Sequence, residues 1–104
     1  MYVVTRRYQL AKESVKEVVD KTKEGFIPLV EKIPGFIDYY YVHSDGSVIV
    51  INVFETRAGA EQSVRLASEW IAKNIPHLYA GTPEIFSGDV ILQHRAKERR
   101  VEAA

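Results

Sequence analysis

This sequence of 104 residues contains no cysteine and one tryptophan, and its charges leave no excess of either sign. The absence of cysteine excludes disulfides, thiol catalysis and Cys-ligated zinc, and it is compatible with a reducing cytosol. The balance of 14 basic and 14 acidic residues gives no overall attraction to nucleic acid or to an anionic membrane. No apolar run approaches the roughly 20 residues of a membrane helix, and the N-terminus lacks a signal-peptide pattern. We therefore expect a cytoplasmic protein that binds neither nucleic acid nor membrane.

Two runs of aromatic and β-branched residues flank the pair Asp45 and Gly46. An Asp-Gly pair between such runs predicts a hairpin with a two-residue turn. This register places Tyr39 opposite Asn52, and strict alternation puts Phe36 on the sheet face opposite to Tyr39. Both faces are largely apolar, whereas a sheet with one face in water shows clean alternation. We expect helices on one face and a second copy of the chain on the other.

The remaining elements follow from apolar periodicity and from the positions of proline and glycine. The pattern predicts a strand over 2–10, a helix over 12–33 with a bend or break near Gly25–Pro28, a helix after an N-cap at Thr56, a loop over 77–84 and a last strand over 85–95. This order predicts a single α+β domain over residues 1–104, with 96–104 as a charged tail. The fold class is ferredoxin-like βαββαβ, a four-stranded antiparallel sheet with two helices on one face.

Two arginines, Arg6 and Arg7, interrupt the predicted first strand. The simpler interpretation is a solvated arginine at a strand end, because arginine is rarely fully buried unless it is paired. The alternative is that one of them reaches a buried carboxylate such as Asp38.

Asn52 lies in the middle of an apolar strand, where a buried amide without hydrogen bonds would cost about 1–3 kcal/mol. It forms either a satisfied pair with Tyr39, at a dimer interface, or an oriented polar group in a pocket. Trp70 is either a core residue or a pocket wall for a flat ligand. His77 is either an exposed loop residue or an acid–base group or haem ligand.

The run from Pro34 to Ile71 resembles the antibiotic biosynthesis monooxygenase-like group of the dimeric α+β barrel superfamily. The cues are Pro34-Gly35-Phe36 opening the second strand, Phe54-Glu55 closing the third and Ala58 to Ala60 entering the second helix. The resemblance implies a homodimer through the open sheet face, forming a dimeric α+β barrel, with a pocket in each subunit between sheet and helices. It also implies a cofactor-independent monooxygenase that uses no cofactor and acts on an aromatic small molecule.

On this interpretation Trp70 forms a pocket wall, Asn52 and Tyr39 orient the ligand, and His77 is the catalytic base. No metal site can be read from the sequence. One alternative is a non-catalytic dimeric module that binds a small ligand.

The other alternative is a haem-binding protein. The haem-degrading branch of the superfamily uses an asparagine on the first strand, a tryptophan in the second helix and a histidine after it. Trp70 and His77 match two of these positions, but the first strand offers Thr5, Arg6 and Arg7 in place of the asparagine. The haem activity is therefore not carried over.

Overall fold

A computed structural model describes residues 1–11 and 15–97, and it has the predicted order of strands and helices. The elements are β1 (Tyr2–Leu10), α1 (Val15–Lys21), a π-helical turn (Thr22–Phe26), α2 (Ile27–Val30), β2 (Phe36–Ser44), β3 (Ser47–Phe54), α3 (Arg57–Asn74) and β4 (Tyr79–Asp89). The strands form one antiparallel sheet in the order β2-β3-β1-β4. The ferredoxin-like fold class is therefore confirmed. The predicted helix start before Val15 and most of the charged tail lie outside the described residues.

The hairpin between β2 and β3 has the predicted turn and register. Asp45 and Gly46 have φ angles of 44° and 78°, which is the positive-φ pair that a type I′ turn requires. Tyr39 pairs with Asn52, but a register shift between Phe36 and Asp38 adds one residue to β2. This bulge turns Phe36 to the helix-covered face, where its ring lies 5.8 Å from that of Phe54. The prediction that Phe36 faces the other way was wrong, because strict alternation does not allow for a bulge.

The two faces of the sheet have different environments. The helices cover one face, and α3 contacts β1 and β3. The largest core cluster forms there, and its buried residues are Val4, Phe26, Val30, Ile33, Phe54, Ala60 and Ala67. The opposite face carries exposed apolar side chains on three strands, namely Tyr40, Val42, Ile49 and Phe86. Among the described residues, no helix is long and apolar enough to span a membrane.

The irregularity predicted near Gly25–Pro28 is a π-helical turn followed by α2. The backbone N–H of Ile27 bonds to the carbonyl of Thr22, five residues earlier. Proline has no N–H to donate, so an uninterrupted α-helix through Pro28 would lose a hydrogen bond and meet a steric clash. The wider turn also brings Gly25 against Trp70, and a Cβ on Gly25 would lie 2.8 Å from Cζ2 of that ring.

β4 begins earlier and ends earlier than the pattern predicted. Tyr79 already pairs with Leu10, so the predicted loop contains the first part of the strand. A register shift between the pairs of Arg7 and Gln9 accommodates the glycine and proline that suggested a loop. The strand ends at Asp89 because its partner β1 begins at Tyr2, which leaves the following residues without a neighbouring strand.

Gly59 is expected to resist replacement, although it lies in the first turn of α3. Its N–H donates to Oγ1 of the N-cap Thr56 at 3.3 Å, and a Cβ there would lie 2.9 Å from Cδ1 of Phe54 and 3.1 Å from the Pro34 carbonyl oxygen. Replacing a helical glycine with alanine usually stabilises by up to about 1 kcal/mol. The overlap with Phe54 and Pro34 should turn this stabilisation into a destabilisation. Gly59→Ala should lower the free energy of unfolding by about 1–3 kcal/mol, measured by urea titration.

Gln62→Ala, on the exposed side of α3, is the control, and it should stay within about 0.5 kcal/mol of the parent protein. A Gly59→Ala protein that is more stable than the parent would contradict the close packing of α3 on the hairpin.

Candidate functional site

A small space, here called the inner cavity, lies between the sheet and the helical layer. Five aromatic side chains line it together with Arg6, and they are Tyr8, Phe26, Tyr39, Trp70 and Tyr79. Its volume is about 10 Å³, which is room for about one water molecule. The inner cavity is thus an aromatic-walled site that is nearly closed in this conformation.

The aromatic walls pack on one another. The ring centroids of Phe26 and Trp70 are 5.6 Å apart, those of Phe26 and Tyr39 are 6.0 Å apart, and those of Tyr8 and Tyr79 are 4.6 Å apart. These separations lie within the range of favourable aromatic pairs. Phe26 comes from the π-helical turn, and π-helical turns inside helices are frequent at functional sites. The turn, α3 and three strands therefore build the walls jointly.

Arg6 is the charged group of the inner cavity and is only 2 % exposed. Its Nη1 donates to the Tyr8 hydroxyl at 2.9 Å, and the guanidinium carbon lies 5.8 Å and 5.7 Å from the ring centroids of Tyr8 and Phe26. Its Nε and Nη2 have no hydrogen-bond partner among the described residues. A cation over an aromatic face gains about 0.5–2 kcal/mol, which offsets only part of the cost of its burial.

Neither sequence interpretation of Arg6 matches its environment. The residue is not solvated, whereas its neighbour Arg7 is exposed on the other face. Asp38 pairs with Val53 on the open face of the sheet and cannot reach Arg6 through the sheet. Arg6 is therefore a buried cation that no carboxylate among the described residues compensates through an ion pair.

Asn52 is fully buried on the helix-covered face, beside Val4 on one neighbouring strand and Tyr39 on the other. Its side-chain oxygen and nitrogen both lack a hydrogen-bond partner among the described residues. The predicted pairing with Tyr39 is thus present in the strands, but not as a satisfied hydrogen bond and not on the open face. Ser63, another buried polar residue, does donate to the Ala60 carbonyl at 2.6 Å.

Arg6 and Asn52 are close neighbours in the sheet. Arg6 pairs with Val50 across β1 and β3, and Asn52 lies two residues further along the same face of β3. Residues in this diagonal relation are about 7–8 Å apart, which is within reach of long side chains. Two buried groups with unused hydrogen-bonding capacity therefore lie side by side below the helices.

The tyrosines of the site are neutral hydrogen-bonding groups. Burial raises the pKa of Tyr39, and the charge of Arg6 opposes this effect only in part. Burial likewise raises the pKa of Tyr41 and of Tyr79, whose hydroxyls are hydrogen-bonded to each other at 3.0 Å. No aspartate, glutamate or histidine lines the inner cavity among the described residues. The site thus offers donors and one positive charge, but no side-chain base.

The structure groups three of the four predicted site residues. Tyr39 and Trp70 line the inner cavity, and Asn52 is the strand partner of Tyr39 beside it, without lining the cavity itself. His77 is exposed in the turn after α3 and does not line the inner cavity, so its role as the base stays a prediction without support from a contact there. In the described part of the chain, no group of three or more histidine, aspartate or glutamate side chains is placed to hold a metal ion.

A larger depression, here called the outer cleft, lies between α3 and β4 and has a volume of about 410 Å³. Ile71, Tyr79 and Ile85 form part of its sides, and Arg6 and Tyr8 lie at its base. Four residues, Arg6, Tyr8, Ile71 and Tyr79, border both the outer cleft and the inner cavity. A shift of the Ile71 and Tyr79 side chains would join the two spaces.

Comparison with solved structures supports the same fold at low sequence identity. A protein of unknown function from Nitrosomonas europaea aligns with a TM-score of 0.68 and 15% identity, over 93% of this chain and 95% of that chain. A conserved protein from Methanosarcina mazei aligns with a TM-score of 0.66 and 20% identity, over 84% of this chain and 89% of that chain. SnoaB from Streptomyces nogalater, described as a cofactor-independent oxygenase, aligns with a TM-score of 0.66 and 11% identity, over 88% of this chain and 94% of that chain.

No curated protein matches the sequence. The sequence profile of the antibiotic biosynthesis monooxygenase family, in contrast, matches residues 1–67, which cover β1, the first helical segment, the β2–β3 hairpin and more than half of α3. This match spans more than half of the chain, and the chain belongs to the antibiotic biosynthesis monooxygenase family.

Proposed function

We propose that this protein is a cofactor-independent monooxygenase that binds an aromatic small molecule between its sheet and its helices. The observation that carries the proposal is the placement of Asn52 beside an aromatic-walled cavity, as a fully buried amide that has no hydrogen-bond partner among the described residues. A purely structural core has no reason to keep an unsatisfied amide, because an apolar side chain of the same size would avoid its desolvation cost. A ligand that bonds to the amide removes this cost.

The reaction needs a substrate that can give an electron to oxygen. A hydroxylated aromatic compound with an acidic CH₂ group loses one proton from that carbon to form a carbanion, which passes one electron to O₂. The two radicals combine in a C–O bond, and the resulting hydroperoxide loses water to leave a carbonyl group. One oxygen atom enters the product and the other leaves as water, so no external reductant is required.

In this reaction the protein excludes water and orients the substrate, and the residues of the site suit both tasks. Trp70 and Phe26 offer flat apolar walls that keep water away from the carbanion. Tyr39 and Asn52 offer neutral hydrogen bonds that orient the oxygens of the substrate. The substrate enters from the outer cleft and displaces Ile71 and Tyr79, because the inner cavity itself has room for only about one water molecule.

The functional unit in this proposal is a homodimer. The open face of the sheet exposes Tyr40, Val42, Ile49 and Phe86, and the last of these is 75 % exposed. The segment after β4 adds Ile91 and Leu92, which are 95 % and 85 % exposed. Exposed apolar side chains in this number on one face favour an interaction site, and a second copy about a two-fold axis would bring the same face to cover them.

Asn52→Leu should lower the activity of the protein without lowering its stability. The substitution removes the unsatisfied amide at nearly constant volume, so the free energy of unfolding should be unchanged or rise by about 1–3 kcal/mol. Oxygen uptake with a panel of polyphenols and anthrones should fall at least 10-fold. Asn74→Ala, at an exposed position at the end of α3, is the control. An Asn52→Leu protein that is less stable but equally active would contradict the proposal.

His77→Ala tests the predicted base directly. Because His77 is exposed and outside the inner cavity, oxygen uptake should stay within about 2-fold of the parent protein. A general base contributes about 10²–10⁴-fold to a rate, so a loss of that size would assign the role to His77 and would require a different ligand position.

Phe86→Glu should convert the dimer to a monomer, measured by size-exclusion chromatography with light scattering at micromolar concentration. Phe86 has little contact within its own chain, so the fold should persist. Leu29→Glu, at an exposed apolar position of α2 away from the open sheet face, is the matched control and should remain dimeric. A monomeric parent protein would contradict the proposed assembly.

A further inference from the structure

We propose that the inner cavity is an anion site, in which the free edge of Arg6 binds a negatively charged oxygen group on the aromatic ligand, a carboxylate or a phenolate. This inference deepens the proposed function and rests on it, since it assigns the charge of the ligand that the aromatic walls hold. Its support is the geometry and burial of the guanidinium, which the aromatic contacts alone do not explain.

The free donors of Arg6 lie on one edge of the guanidinium. Nη1 is occupied by the Tyr8 hydroxyl at 2.9 Å, while Nε and Nη2 have no partner among the described residues. Nε–H and the adjacent N–H of Nη2 point in parallel, and this pair matches the two oxygens of a carboxylate or a single oxygen anion between them. The bond to Tyr8 and the rings of Tyr8 and Phe26 hold the plane of the guanidinium in place.

Among the described residues, the charge of Arg6 is buried without a counter-charge. The residue is 2 % exposed, it donates to the neutral Tyr8 hydroxyl, and its other polar neighbour is the neutral Tyr39 hydroxyl. A buried charge is strongly unfavourable until an opposite charge or hydrogen bonds replace its hydration. An anionic ligand supplies both, whereas a neutral ligand would leave the charge uncompensated.

Neighbouring groups extend the donor set. Tyr39 and Asn52 lie next to each other across β2 and β3, and Asn52 has an unused amide N–H₂ group on the same sheet face as Arg6. Burial keeps the pKa of Tyr39 raised, so its hydroxyl remains a neutral donor. Groups that donate hydrogen bonds but carry no negative charge favour an anion over a cation or a neutral molecule.

This arrangement also accounts for a site without a base. A positive charge at contact distance favours the deprotonated form of a bound phenol. The proton can leave to solvent through the outer cleft, at whose base Arg6 lies. Arg6 would then stabilise the negative charge of the substrate anion that passes an electron to oxygen, while the tyrosines stay neutral.

The test compares binding of 2-naphthoate, 2-naphthamide and 2-naphthol to the parent protein, Arg6→Met and Arg6→Lys by isothermal titration calorimetry. The parent protein should bind naphthoate at least 10-fold more tightly than the isosteric amide. This ratio should fall to about one in Arg6→Met and lie between these values in Arg6→Lys. Arg7→Met, the neighbouring arginine on the opposite sheet face, should keep the parent ratio.

The naphthol arm distinguishes the two kinds of anion. If the site favours a phenolate, bound naphthol should show the red-shifted phenolate absorption at a pH below its own pKa, and this band should disappear in Arg6→Met. If only naphthoate shows the dependence on Arg6, the anionic group is a carboxylate. Either result supports an anion site.

Equal affinity of the acid and the amide in both proteins would overturn the anion site and leave the aromatic-binding proposal intact. A ligand-free measurement covers the case in which none of the three compounds binds. Arg6→Met should then unfold at a urea concentration equal to or higher than the parent protein, because it removes an uncompensated charge. A clearly lower midpoint would show that Arg6 stabilises the ligand-free fold, and it would overturn the inference.

Discussion

The interior of this protein is organised around one guanidinium buried beneath the helical layer. Arg6 points inward because it shares a strand face with Val4 and Tyr8, and the helices above that face leave it 2 % exposed at the base of the outer cleft. Its charge is held by one phenolic hydroxyl and two aromatic faces. The aromatic composition of the surrounding walls follows from this, because aromatic rings combine apolar bulk with a negative face toward a cation.

The π-helical turn connects the first helical segment to this site. It precedes Pro28, so the backbone has already left α-helical geometry where proline would otherwise remove a hydrogen bond. The same turn presents Phe26 to the guanidinium and lets Trp70 lie against Gly25. A local backbone irregularity thus places two aromatic walls at once, one from each helical segment.

The two faces of the sheet carry different kinds of side chain. The helix-covered face carries the cation, the buried amide and the aromatic cavity, while the open face carries apolar side chains. A bulge at the start of β2 moves Phe36 into the core beside Phe54 and leaves the rest of the strand in the register of the hairpin. In this βαββαβ chain the helices cover one face of the sheet, and the other face exposes apolar side chains.

The sequence by itself determined the fold, because its strongest signals are local. The Asp45-Gly46 turn sets the hairpin register through two positive φ angles, and Thr56 caps α3 through a hydrogen bond three residues away. Asn52 stood out as an amide in an apolar strand, and the predicted register correctly placed Tyr39 opposite it. The early start of β4 was missed, since a register irregularity and a loop share the same glycine and proline.

Only the tertiary structure decided what surrounds each side chain. Arg6 occupies a position in β1 at which its even-numbered neighbours Tyr2, Val4, Tyr8 and Leu10 are all apolar, and this alternation was the signal for its burial. The same alternation does not reveal whether a carboxylate packs against Arg6, because the residues that face it come from segments distant in sequence. The packing of the layers places His77 outside the inner cavity, and within the described part of the chain it leaves Nε and Nη2 of Arg6 and the side-chain amide of Asn52 without hydrogen-bond partners.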